Sequence, residues 1–405
     1  MRSAYTIRLL TAKGLRAFGD GFVSLLLPLY LLELGFGAFE VGLIASITLL
    51  GSGALTLAVG LTAHRFHYRS LLLAASALMA ATGAGFATAT QFWPLAVIAL
   101  VGTLNPSSGD VSVFLPLEHA VLARVVDARD RTAAFARYSV VGTLVAAVGA
   151  LAAGAPAALA HATGWPLRAT LQAMFVVYAL LGVASAWSYR GLPRGLETPA
   201  AAARVPLHAS RRAVYTRAAL FSLDAFGGGF VVQSILALWL YQRFGLSPAA
   251  AGTLFFATGV LSALSYVVAV RIAARVGLVN TMVFTHLPAN LCLVAIAFVP
   301  DLGAALALLL VRSALSQMDV PTRSSYVMAI VTPNERPAAA SITAVPRSLA
   351  AAASPVLAGA LLAVSPFGWP LLVAGGVKIL YDVLLLVTFR TIRPPEERVP
   401  GERRT

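Results

Sequence analysis

The sequence predicts an all-α polytopic membrane protein, with twelve transmembrane helices arranged as two pseudo-symmetric six-helix bundles. Three observations carry this. Of the 405 residues, 59% are hydrophobic and 11% charged. That is under half the charged share of about 25% usual in soluble domains, and hydrocarbon tolerates few ionised side chains. Apolar stretches of about 20 residues, long enough to span a bilayer at about 1.5 Å per residue, recur along the chain. Finally, a segment near the start returns far downstream. LRAFGDGFV at 15–23 reappears as LDAFGGGFV at 223–231, with seven of nine positions in agreement.

The stretches fall at 14–35, 40–62, 70–89, 92–122, 133–158, 168–189, 216–241, 249–271, 280–299, 303–328, 338–364 and 370–390. Gly-Phe-Gly at 35–37 divides the first pair, and Ser-Pro at 247–248 and at 365–366 opens the eighth and follows the eleventh. Glycine and proline punctuate helices in this way. The longest polar break, YRGLPRGLETPAAAARVPLHASRRAV at 190–215, reads as a linker. The expected organisation is a first bundle at 1–190, a linker at 191–215, a second bundle at 216–392 and a tail at 393–405.

Charge sets the expected orientation. Arg65, Arg69, Arg124, Arg129, Arg131, Arg190, Arg194, Arg204, Arg211, Arg212, Arg271, Arg275 and Arg336 fall in alternate connections, whereas the opposite ones hold Arg168 and Arg243. Under the positive-inside rule both termini are cytoplasmic. The same distribution disposes of nucleic acid as the reason for the net charge of +14, since no basic helix with interleaved aromatics occurs. The opening segment lacks a cleavage site after a short apolar run, so no cleaved signal peptide is expected. Cys292 is the single cysteine, which leaves no disulfide framework. Heavy use of Ala, Arg and Leu points to a GC-rich bacterial genome and hence to the inner membrane.

The repeat extends beyond the opening pair. Leu34-Gly35 matches Phe244-Gly245, Gly42 matches Gly252 and Arg65 matches Arg275 at an offset of 210, while Pro116, Arg131 and Ala133 match Pro321, Arg336 and Ala338 at 205. Copies with six spans each share a topology, so their axis runs along the membrane normal. GLTAHRFHYR at 60–69 resembles the loop signature of the major facilitator superfamily at Gly60, Arg65 and Arg69, with His64 in place of its aspartate and His67 in place of its second glycine. AVRIAARVG at 269–277 keeps Arg275 and Gly277, and Pro116 followed by Arg131-Thr132-Ala133 resembles the end of the family's fourth helix. The drug-antiporter motifs are degraded: Leu104 stands where their arginine would fall, and Gly142, Gly149, Gly154 and Pro156 echo their fifth-helix glycines loosely. The resemblance implies a central cavity lined by helices 1, 4, 7 and 10, helices 3, 6, 9 and 12 toward lipid, and alternating access by rocking of the halves.

Ionisable residues within spans are functional candidates. In helix 1, Asp20 lies one turn from Arg16. Burial and a neighbouring cation act oppositely on such an acid, so the pair is the expected site of proton coupling, or else a fixed pair. Arg312, Ser316, Asp319, Arg323 and Tyr326 form one stripe on helix 10, and the Arg312 fork suits an anionic substrate. Helix 4 reads LNPSSGDVSVFLPLEH, and Pro106 and Gly109 interrupt its ladder, as binding-site helices often are. The expected substrate residues are Arg312, Asn105, Ser108, Asp110, Gln233 and Asp319. Asp224, at the repeat position of Arg16, is expected to pair across the axis and, with Arg137, Arg323, Arg347 and Glu118, to build gating charge pairs. Lys378 and Asp382, one turn apart, are expected to neutralise each other. Gln233, Trp239 and Tyr30 are read as upper cavity liners or interfacial anchors, and His64 and His67 as loop residues.

The expected function is secondary active transport of a small organic compound, as a proton-coupled exporter. The alternative is a proton-driven importer or an uncoupled facilitator of a small organic anion. The Phe-Gly-Asp-Gly context of Asp20 also resembles the helix-1 aspartate of ferroportin-type iron exporters, which makes divalent-metal export a third reading. No Gly-x-x-x-x-Gly-Lys-Ser/Thr loop for an ATP pump and no His-x-x-Glu-His spacing for an enzyme occurs. His119 is the one histidine at the end of a cavity helix. The expected partners are the substrate, protons and the bilayer, for a monomer without cofactor or metal.

Overall fold

A computed structural model describes residues 2–62, 65–107, 112–127, 130–193, 211–318 and 336–389. All regular elements among them are helical: α1 Arg2–Glu33, α2 Ala38–Thr62, α3 Tyr68–Thr88, α4 Phe92–Val101, α5 Phe114–Val125, α6 Arg131–Leu151, α7 Ala155–Thr163, α8 Leu167–Arg190, α9 Arg211–Gly229, α10 Gln233–Phe244, α11 Pro248–Val276, α12 Leu278–Phe298, α13 Leu302–Ser316, α14 Arg336–Val364 and α15 Trp369–Phe389. Ten helical stretches among the described residues are long and apolar enough to cross a membrane, and α4 and α13 are shorter apolar helices at the fourth and tenth predicted positions. The order is that of the expected twelve-span fold.

Among the described residues, the fourth, fifth and seventh spans are not single helices. The fourth is cut between α4 and α5, where the described residues Gly102–Ser107 carry no helix. This is the break that Pro106 predicts, because proline has no N–H to give the ladder. The fifth passes through a 3₁₀ turn at Ala152–Gly154 before α7. The seventh stops at Gly229 and restarts at Gln233.

The repeated glycines have repeated structural work. Gly35 takes φ 90°, with Phe36 N–H bonded to Leu31 O (3.0 Å) and Gly35 N–H to Leu32 O (2.9 Å). That is the Schellman stop, which favours a residue without Cβ. Its repeat partner Gly245 takes φ 61° and donates to Tyr241 O at 3.0 Å, again ending a helix. Gly42 and Gly252 serve packing: a Cβ on Gly42 would meet Pro355 O at 2.3 Å, and one on Gly252 would meet Ala150 O at 2.5 Å. Small residues let helix backbones approach closely where lipid supplies no hydrophobic drive.

Two compact units result. The first comprises Met1–Ala202, Val231–Val260 and Ala352–Phe367. Within it α1 is buried almost all round and locks against α6, where a Cβ on Gly21 would meet Ala146 O at 2.1 Å and one on Gly149 would meet Phe18 O at 2.2 Å. The far end of α1 is tied down by Tyr30, whose hydroxyl lies 2.9 Å from Phe86 O and 3.0 Å from Ala89 O. Tyr30 is therefore a buried knot rather than an interfacial anchor. Trp239 on α10 is likewise fully buried. On α8, Val176, Leu180, Val183 and Trp187 make an exposed apolar stripe at helical spacing, as a lipid-facing sixth span requires.

The second unit comprises Ala203–Phe230, Leu261–Ala351 and Gly368–Thr405. Its apolar core joins Leu220 and Phe221 of α9, Met282 and Val283 of α12, and Tyr381 and Leu385 of α15. The units do not follow the repeat boundaries, because α10, the start of α11 and the end of α14 pack with first-half helices.

Candidate functional site

In the first unit, α1 and the broken fourth span bring a set of polar groups together. Phe114 and Glu118 are one turn apart on α5 and so share a face. The Arg16 guanidinium lies 4.0 Å from the centre of the Phe114 ring, and its Nη2 is paired with Glu118 Oε2. Glu118 is fully buried and Arg16 is 2% exposed. Two hydroxyls complete the carboxylate's shell: Tyr138 donates to Oε2 at 2.5 Å and Tyr189 to Oε1 at 2.6 Å. Lys13 Nζ sits 5.1 Å from the Tyr138 ring centre, so two cations stand close to one acid. A charge this deep is tolerated only when paired and hydrogen-bonded, and Glu118 is both.

Asp20 is half-buried one turn further along α1, beside Tyr178. Gly19 leaves room for that ring, since a Cβ there would fall 2.9 Å from Tyr178 Cδ2. The Tyr178 hydroxyl donates to Thr103 O at 3.1 Å, at the start of the break in the fourth span. Tyr178 thus links the acid of α1 to the interrupted backbone.

The break is held by its own side chains and by the seventh span. Asn105 is buried, and its Oδ1 accepts from Ser107 N–H (3.1 Å) and Ser107 Oγ (2.8 Å). Pro106 O accepts from Ser234 N–H at 3.0 Å, on the first turn of α10. Two interrupted spans therefore satisfy each other's backbone, which is how non-helical chain persists at membrane depth. Gln233 is buried beside Ser234. Thr103 Oγ1, Ser234 Oγ and Trp239 Nε1 are buried without a hydrogen-bond partner among the described residues. Buried polar atoms are nearly always satisfied, and these three have hydrogen-bonding capacity that the described residues do not use.

The sequence-predicted residues sort as follows. Arg16 and Glu118, assigned to coupling and gating, are one ion pair. Asn105 and Gln233 lie one at each break, next to Pro106 and Ser234, which join the breaks. Ser108, Asp110, Asp319 and Arg323 lie outside the described residues, as does His64. Arg312 on α13 has its Nε shielded and without a hydrogen-bond partner among the described residues. Arg137 and Arg347 are exposed on α6 and α14, and Arg137 has no ion pair among the described residues. Asp224 pairs within its own unit, with Lys378 Nζ at 2.6 Å.

That pairing corrects the expectation that Lys378 and Asp382 neutralise each other. Lys378 turns to Asp224, and Asp382 binds His286 and Asn290. The sequence reading did not single out His286, because it lies in an apolar run of a helix assigned to the lipid side. Its signal was a histidine in the middle of a span. Among the described residues, no three His, Cys, Asp or Glu side chains converge as a metal-binding set.

Comparison with known proteins agrees with this architecture. A Saccharomyces cerevisiae protein described as an uncharacterised membrane protein is 25% identical over 411 residues, covering 93% of this chain and 92% of its own length. Among solved structures, the nucleoside transporter NupG superposes with a TM-score of 0.73 at 13% identity, covering 95% of this chain and 99% of its own. The human organic anion transporter MFSD10 (TETRAN) gives 0.65 at 18% identity, covering 95% and 99%. A bacterial homologue of the human lysosomal transporter Spinster, inward-facing and occupied, gives 0.72 at 13% identity, covering 95% of each chain. At these identities the structural likeness establishes the fold. The sequence profile of the Major Facilitator Superfamily matches residues 9–316 and 218–405, and the chain belongs to that superfamily.

Proposed function

We propose that the protein is a secondary active transporter that exports a small organic compound in exchange for protons by alternating access. The observation that carries this reading is the connection Asp20–Tyr178–Thr103. It joins a membrane-embedded acid to the interrupted helix that keeps unpaired polar atoms. Interrupted helices place ligand-binding groups near the bilayer midplane, and an intramembrane acid is a functional-site candidate by default, proton relays among the roles. Asp20 takes up the proton, and substrate bound at the break displaces it. Arg16, held by Glu118, supplies the positive field beside Asp20. Breaking such a pair leaves an uncompensated buried charge, which makes Arg16–Glu118 a rigid support for the site. The basic connections support a reading with both termini in the cytoplasm, for a monomer of the cell inner membrane.

Arg312 favours a second reading of the cargo. A guanidinium whose shielded Nε has no hydrogen-bond partner among the described residues fits a carboxylate or phosphate, and so a small organic anion, carried inward with protons or by facilitated diffusion. Reconstituted vesicles separate these readings. The purified protein is placed in liposomes and offered a panel of nucleosides, organic anions, organic cations and divalent metals. Exchange against protons accumulates a compound in inside-acid vesicles, whereas symport accumulates it in outside-acid vesicles. Equilibration without accumulation in either shows facilitation. Accumulation only in outside-acid vesicles would overturn the exporter reading.

A further inference from the structure

The second unit holds a polar cluster that the site in the first unit does not use. His286 of α12 is 4% exposed, Asp382 0%, Asn290 1%, Asp224 5% and Lys378 8%. His286 Nδ1 is 2.8 Å from Asp382 Oδ1, and its Nε2 is 3.9 Å from Asp224 Oδ1. Asn290 Nδ2 donates to Asp382 Oδ2 at 2.9 Å and lies 3.1 Å from His286 Nδ1. Lys378 Nζ holds Asp224 Oδ1 at 2.6 Å. One imidazole therefore stands between two carboxylates, one at each ring nitrogen.

From the geometry we infer that His286 is a proton-binding site, in which Asp382 fixes one ring nitrogen and Asp224 receives the proton-bearing other. The inference adds to the proton-exchange reading above and rests on it only for its role in transport. The charge arithmetic favours it. With a neutral imidazole these five side chains hold two carboxylates and one ammonium, and a proton on His286 adds a second cation between the two acids. A net charge is costly at membrane depth. The 2.8 Å contact sets the tautomer, with Nδ1–H donated to Asp382 and the Nε2 lone pair turned toward Asp224. A second ring nitrogen oriented in this way is the standard means of fixing an imidazole. The arriving proton binds Nε2, and no other bond changes.

Protonation also has a mechanical consequence. Nε2–H and Lys378 Nζ then compete for the same oxygen, Asp224 Oδ1. Asp224 lies five residues before the end of α9 at Gly229, where the seventh span is interrupted. Proton uptake thus redirects a carboxylate anchored next to a helix break. Other groups also pack around His286. Tyr381 of α15 meets it edge-on, with ring centres 6.0 Å apart. Arg312 of α13 faces Cys292, six residues further along α12. Among the described residues, Lys378 and Asp382 of α15 and Asp224 of α9 carry the ion pairs of the cluster.

Histidine-selective ¹⁵N NMR of the full-length protein in lipid nanodiscs tests this without transport. The His286 signal is identified by its loss in His286→Gln. It is expected to show the Nδ1–H tautomer at alkaline pH and the doubly protonated form at acidic pH. Asp224→Asn removes an anion within reach of the ring and is expected to cut the doubly protonated population at a fixed acidic pH by about threefold or more. Lys378→Met removes the cation that holds Asp224 Oδ1 and is expected to raise it. A signal that keeps one form throughout, or that is indifferent to Asp224→Asn, overturns the inference even if pH-driven transport by the wild type persists. If His286 titrates as stated but the wild type shows no pH-driven flux, the proton site stands and the exchange reading fails.

Discussion

Glu118 shows how much one buried residue organises. It accepts from Arg16, Tyr138 and Tyr189, and these come from three different helices. Glu118→Gln leaves Arg16 buried without its counter-charge and is expected to cost about 3–5 kcal/mol, seen as a fall in the detergent thermal-unfolding midpoint. Arg16→Met combined with Glu118→Leu is expected to recover more than half of that loss, since removing both charges also removes the desolvation cost. A double variant no more stable than Glu118→Gln alone would show that the pair contributes through something other than charge balance. None of this pairing was legible in the sequence. Both residues stood out as intramembrane charges, but they are 102 positions apart, and one-turn spacing put Arg16 with Asp20. His286 and Asp382, 96 positions apart, were hidden in the same way. Sequence shows that a buried charge needs a partner, and only packing selects it.

At the scale of elements, the breaks and the glycines were unequally readable. The interruption of the fourth span follows from Pro106, because its chemistry is local. The interruption of the seventh span was missed. No proline announces it: α9 ends at Gly229, and Gly227 in its last turn lies close against α15, where a Cβ would fall 3.0 Å from Lys378 Cγ. Asn105→Ala removes the acceptor for two bonds at the first break. It is expected to lower transport rate at least about tenfold while costing about 1–3 kcal/mol of stability, within the range for buried donors left unpaired. A variant with wild-type flux would sink the assignment of the break to the site. Gly42 lends itself to a packing test. Its repeat partner predicted a shared role, and it holds α2 against α14, where Ser46 Oγ also accepts from Val356 N–H at 2.9 Å. Gly42→Val forces Pro355 and Gly359 away. With Cys292→Ser as background, a cysteine introduced by Ser46→Cys is expected to react several-fold faster with a membrane-impermeant thiol reagent once Gly42→Val is added. Equal rates would mean that this contact does not seal that end of α2.

For the whole molecule, composition and repeated segments were enough for the architecture. Stretches of about 20 apolar residues have only one stable arrangement in lipid, and paired segments at a near-constant offset imply a duplicated bundle. What the chain does with its charges depends on distances between helices, which neither composition nor offset encodes. The central claim is that Asp20 exchanges its proton for the cargo bound at the neighbouring break. It is tested most directly by proton release. Purified protein in weakly buffered detergent solution, with a pH-sensitive dye, is mixed with the compound that accumulates in inside-acid vesicles. Wild type is expected to release close to one proton per bound molecule, and Asp20→Asn to bind the compound and release at most a small fraction of that. Undiminished release by Asp20→Asn would contradict the account.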